Sequence, residues 1–100
     1  MVLGLLLITK GFQDDIIGLV NAAIEKDHSI NIFMMDDGVY YCQNENIVTL
    51  IQSNKVNMSL CDRSCQLRDI TTDMIPDGIT EGSQLQNAMM HNSADRIINI

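Results

Sequence analysis

Val2–Thr9 is an unbroken apolar run that stops at Lys10-Gly11, and no other feature of the chain constrains its fold as much. A strand with one wet face alternates apolar and polar residues. A run without alternation fits a strand buried on both faces, the habit of parallel sheets. The run is too short to span a bilayer. It also lacks a basic leading segment and a small-residue cleavage site, so it does not read as a secretory signal.

The rest of the chain alternates strand-like and helix-like patterns. Asp14 or Asp15 can cap a helix in which Ile16, Val20, Ala23 and Ile24 recur at helical spacing, through Lys26. Asp27-His28 breaks that pattern. Ser29–Met35 is a second strand, followed by the turn signal Asp36-Asp37-Gly38. Val39–Ser53 predicts a second helix, irregular near Gln43–Asn46, and Lys55–Leu60 a third strand. Beyond Cys61, the pattern predicts a short helix over Cys65–Ile70, a turn over Thr71–Ile75 and a short strand over Gly78–Glu81. Ser83 with Gln86 matches a capping box and opens a helix to about Asn92. Asp95–Ile100 closes the chain as a strand. This order predicts one α/β domain over residues 1–100, a three-layer α/β/α arrangement around a five-stranded, mostly parallel sheet.

One hundred residues can bury about two-thirds of their unfolded surface, enough for a core without metals or disulfides. The net charge of −7, with six scattered basic residues, argues against direct nucleic-acid binding. Cys42, Cys61 and Cys65 are an odd number and make no secreted disulfide framework, so the expected setting is a reducing cytoplasm. There is no Gly-rich phosphate loop after the first strand, so no nucleotide cofactor is expected. His28 and His91 read as exposed helix-end residues, and no metal site is expected.

Right-handed crossovers bring the carboxyl ends of parallel strands to one edge. That edge collects Thr9-Lys10-Gly11, Asp36-Asp37-Gly38 and Cys61. A thiol there stands where open α/β sheets place their chemistry. Lys10, Arg63 and Arg68 favour its ionised form, whereas Asp36, Asp37 and Asp62 oppose it. The bland alternative is a buried packing cysteine. Cys65, four residues on, fits neither the redox nor the zinc spacing. It reads as a buried helix cysteine or a second thiol, and Cys42 as packing beside Tyr40 and Tyr41. Asp36 and Asp37 read as a solvated turn pair or as groups that orient a partner.

Leu6-Leu7-Ile8-Thr9-Lys10-Gly11 resembles the first strand of the DsrE/DsrF/TusD-like sulfur-relay family, which includes the YchN-like proteins. Ile32-Phe33-Met34-Met35-Asp36-Asp37-Gly38-Val39-Tyr40 resembles that family's second strand and Asp-Gly-Val turn. Val56–Cys61, followed by Leu67-Arg68-Asp69-Ile70, resembles its cysteine loop, and Ala94–Ile100 its last strand. The resemblance implies a small sulfurtransferase in which Cys61 carries sulfane sulfur as a persulfide. It implies sulfur donor and acceptor proteins as partners, and a homo-oligomer from dimer to hexamer. Arg68 falls where the family often has a basic residue, and Asp69 where glycine is common. Arg68, Lys10 and Asp37 are the expected assisting residues. The Tyr40-Tyr41 and Met89-Met90 pairs also point to a homo-oligomer. Two other readings stand beside the carrier: a non-catalytic oligomeric binding or regulatory subunit with a structural Cys61, and a peroxide or redox sensor pairing Cys61 with Cys65.

Overall fold

The computed structural model describes residues 1–100. Five strands, β1 (Val2–Leu7), β2 (Ser29–Met34), β3 (Val56–Cys61), β4 (Ile79–Gly82) and β5 (Arg96–Asn99), form one sheet in the order β4-β3-β2-β1-β5. Every pairing is parallel, so the sheet is more uniform than the mostly parallel one expected.

Register follows the pleat. Leu5, Ile32 and Met58 stand in line across β1, β2 and β3, and Ile79 of β4 continues the row. These side chains enter a 19-residue core on the first face of the sheet. Side chains at the alternate strand positions, such as Phe33 and Cys61, point to the second face and join a smaller cluster with Met90.

Handedness explains why the two layers are unequal. The chain steps from β1 through β2 and β3 to β4 in one direction, and right-handed crossovers of one direction lie on one face. That face holds α1 (Gln13–Glu25), the Asp36–Gln52 crossover and α3 (Asp62–Gln66). The step from β4 back to β5 runs the other way and places α4 (Gln84–Ser93) alone on the second face.

Several local expectations need correction. α1 starts behind Phe12, which offers no side-chain cap; Asp14 and Asp15 lie inside its first turn, where they meet the positive end of the helix instead. The predicted 39–53 helix is three pieces: a 3-10 segment Asp36–Gln43, the short α2 (Glu45–Val48) and a 3-10 turn Thr49–Gln52. Asn44 separates the first two because its side chain caps α2, accepting from the Asn46 and Ile47 N–H groups at 3.0 and 3.2 Å. The helix expected over Cys65–Ile70 begins at Asp62 and ends by Gln66. Asp69 there has a φ of 57°, and the Ile70 N–H turns back to the Cys65 carbonyl at 2.9 Å. That left-handed residue stands at the position where the family commonly has glycine.

Candidate functional site

Cys61 is the last residue of β3 and the residue from which α3 starts. The strand pattern turns its side chain to the second face, against Phe33 and Met90, with Leu6, Met35 and Ile97 packed around that cluster. The residue is 7% exposed. Burial pushes its pKa up. The Ser64 hydroxyl, the backbone N–H groups of Ser64 and Arg63 and the Gln84 side chain more than offset that and hold it below the ordinary thiol value. The backbone donors are unpaired first-turn N–H groups of α3, which every helix start leaves free.

The other two thiols go the opposite way. Cys42 is fully buried, and burial raises its pKa. Cys65 is 2% exposed and lies in the first-face core. Its pKa is pushed up to about 11 by burial first, then by Cys42, Cys61, Glu81 and Asp62. All three cysteines are free.

Ser64 is the only buried polar residue of the chain. Its Oγ accepts the Asp36 N–H at 3.0 Å, and Asp36 holds a φ of 49° there. The Ser64 carbonyl accepts Arg68 Nη1 at 3.2 Å, and Arg68 Nε donates to Asp37 Oδ1 at 3.0 Å. Arg68 and Asp37 are thus brought together, with Arg68 bonded to the carbonyl of Ser64, the residue whose hydroxyl and N–H face Cys61. Gly38 completes this loop. A Cβ on it would stand 1.9 Å from the Leu7 carbonyl oxygen, so only glycine lets the turn lie against the end of β1. Lys10 sits apart, its ammonium 5.1 Å from the centre of the Tyr40 ring.

Ser64 and Gln84 were not singled out in the sequence. Ser64 becomes readable once the helix is started at Asp62, because the third residue of a helix faces back to the residue just before it, here Cys61. Gln84 arrives from α4 and has no local signal. The largest surface cleft, about 780 Å³, lies away from Cys61, between Cys42–Thr49 and Met74–Pro76. No group of three His, Cys, Asp or Glu side chains is placed to hold a metal ion. No helix is long and apolar enough to cross a membrane.

Comparison with known proteins gives a family and a fold. The model of the DsrE/DsrF-like family matches residues 13–100. The crystal structure of the YchN protein from E. coli superposes with a TM-score of 0.80 at 16% identity, covering 99% of this chain and 97% of that one. MTH1491 from Methanobacterium thermoautotrophicum, a protein of unknown function, superposes with a TM-score of 0.73 at 12% identity, covering 99% and 98%. No curated protein matches by sequence.

Proposed function

The chain belongs to the DsrE/DsrF-like family, a sulfur-relay family, and from that premise we propose that it is a sulfurtransferase that carries sulfane sulfur on Cys61. The observation that carries this reading is the contrast among three thiols. Cys61 alone is held below the ordinary thiol pKa, while burial raises Cys42 and Cys65. The thiolate is the nucleophile in such exchange.

In the first step the Cys61 thiolate attacks the outer sulfur of a donor persulfide. A bond forms from Sγ to that sulfur, the donor's S–S bond breaks, and the donor leaves as a thiolate. An acceptor thiolate then attacks the same outer sulfur, and Cys61 leaves as a thiolate. Sulfane sulfur moves, and no external oxidant or reductant is consumed. Donor and acceptor are proteins that dock at the strand-end edge, and the carrier works as a homo-oligomer. Three free thiols suit a reducing cytoplasm. Arg68 and Asp37 act on Cys61 through Ser64, by holding α3 against the Asp36 loop; Lys10 and Cys65 make no contact that gives them a step.

The 7% exposure of Cys61 favours the alternative, a non-catalytic binding or regulatory subunit with a structural cysteine. Intact mass after incubation with a persulfide donor decides between them. The carrier gains one sulfur mass, reversibly with reductant, and Cys61→Ser abolishes the gain while Cys42→Ser does not. A native protein that gains nothing, or a Cys61→Ser protein that still gains sulfur, overturns the assignment.

A further inference from the structure

Sheets made only of parallel strands are covered on both faces. Here α4 covers Phe33, Cys61 and Gly4 on the second face and leaves the rest open. Beside it runs a groove of about 420 Å³, with Asn31, Asn57, Ser59 and Thr80 on its floor and Gln86 and Met89 along its α4 wall. The floor is polar but weakly satisfied: its one internal side-chain pair is Asn57 Nδ2 to Asn31 Oδ1 at 3.3 Å.

The composition of this face is unlike that of the rest of the molecule. The chain has 13 acidic and six basic residues. None of them lines the groove, and none lies in the stretch Gly82–Ala94 that contains α4. Meanwhile Leu85 is 63% and Met89 58% exposed, one helical turn apart on α4. An uncharged helix that shows an apolar stripe to solvent is missing a neighbour.

Charge indicates what that neighbour is. A partner chosen by opposite charge would be drawn to the acidic surfaces, such as the edge with Asp36, Asp62 and Glu81, and not to this one. A second copy of the chain, itself at −7, is repelled by those surfaces and meets no like charge here. Shape points the same way. A ridge and a groove lie side by side, which is what a two-fold contact needs, because the ridge of each copy can enter the groove of the other. A ten-residue helix is about 15 Å long, enough to lie across β2, β3 and β4. The carboxamides of Asn31 and Asn57 each donate and accept, so they can pair with their own symmetry copies.

We infer that the second face of the sheet is an interface between two copies of this chain, in which α4 of each copy fills the groove beside α4 of the other. This rests on the homo-oligomer proposed above and names the face that forms it. The contact completes the missing layer over β2–β4 and encloses the Phe33–Met90 side of the Cys61 cluster, leaving the strand-end edge free for sulfur donors and acceptors.

Light scattering on the purified protein and on Asn57→Lys, Met89→Lys and the double variant tests it. Both sites are exposed, so the fold should persist, and circular dichroism checks that. The unaltered chain should have at least twice the 11.2 kDa chain mass. Each single variant should weaken association at least tenfold, and the double variant should be a monomer. Leu67→Lys, at a 70% exposed apolar residue beyond α3, should leave the mass unchanged. A folded double variant that stays as associated as the unaltered chain overturns the face and leaves the homo-oligomer standing. An unaltered chain that is a monomer at its highest soluble concentration overturns both. Persulfide loading, read by intact mass on the same samples, reports on the carrier reading separately.

Discussion

Replacing Ser64 by alanine removes a donor from the Cys61 sulfur and an acceptor from the Asp36 N–H. A hydrogen bond to a charged group contributes about 1.5–3 kcal/mol. The neutral thiol keeps part of that contact, so the lower end applies to the difference between the two forms. About 1.4 kcal/mol is tenfold in an equilibrium. At any pH below the thiol pKa, the thiolate fraction and hence the alkylation rate of Cys61 should fall about tenfold. The remaining donors from Arg63, Ser64 and Gln84 keep the loss from being larger. Above the thiol pKa, where the sulfur is already ionised, the two proteins should react at similar rates. The assay is iodoacetamide modification across pH, read by intact mass. Ser64→Thr, which keeps the hydroxyl, should restore most of the rate. The orphaned Asp36 N–H should also cost about 1–3 kcal/mol of stability, visible as an earlier denaturant midpoint. Equal slowing at all pH values would mean that Ser64 governs access. An unmoved pH profile would refute the account of the lowered thiol.

Gly38→Ala should cost at least about 3 kcal/mol, because its Cβ collides with backbone rather than with a movable side chain; chemical denaturation measures this. Arg68→Ala should destabilise by about 1 kcal/mol and slow Cys61 alkylation less than Ser64→Ala does, since its guanidinium bonds Asp37 and the Ser64 carbonyl rather than the sulfur. Cys65 keeps its proton in the folded state up to about 11 against an ordinary 9.0. The unfolded chain therefore loses that proton first, and stability present below pH 9 is lost as pH rises towards 11, by about 2–3 kcal/mol. Urea melts at pH 8 and 10.5 should show that slope, and Cys65→Ala should reduce it, leaving the part of the same sign that the raised Cys42 thiol contributes. Asp69→Gly, which relieves a left-handed non-glycine residue, should stabilise by about 0.5–1 kcal/mol, read as a raised midpoint.

The legible parts of the fold were those fixed by local pattern. The apolar run of β1, the helical spacing of Ile16, Val20 and Ala23 and the Ser83–Gln86 box each carry their own signal. Both halves of that box are present, the Ser83 N–H to Gln86 Oε1 at 2.6 Å among them. The Asp36–Gln52 crossover resisted reading because packing decides it. Gly38, Val39, Tyr41 and Cys42 are all buried, and a regular α-helix of 15 residues could not present them that way around the Asn44 cap. The start of α3 was missed for a related reason. Cys61 ends a strand and begins a helix at once, and nothing in its composition marks the switch. Starting that helix three residues late hid Ser64, and with it the route by which the Asp36 loop reaches the sulfur.

The spacing of Cys61 and Cys65 invites a pairing that the fold works against. Four residues apart on one continuous helix, two thiols share a face. Here Cys61 belongs to the strand, and its pleat sends the side chain to the second face with Phe33 and Met90. Cys65 belongs to α3, which packs on the first face, and its side chain sits in that core. The two sulfurs therefore belong to different clusters, and the second is both buried and held protonated to about pH 11. This bears on carriage directly. A persulfide beside a reactive thiol is short-lived, because that thiol attacks the inner sulfur, makes a disulfide and expels hydrogen sulfide. A carrier needs its second thiol out of reach, whereas a peroxide sensor needs a resolving thiol close and ionisable. The placement of Cys65 meets the carrier's requirement. If Cys61 is oxidised with peroxide, the product should be a sulfenic acid that dimedone captures. A Cys61–Cys65 disulfide in its place would show that α3 unwinds readily and would favour the sensor.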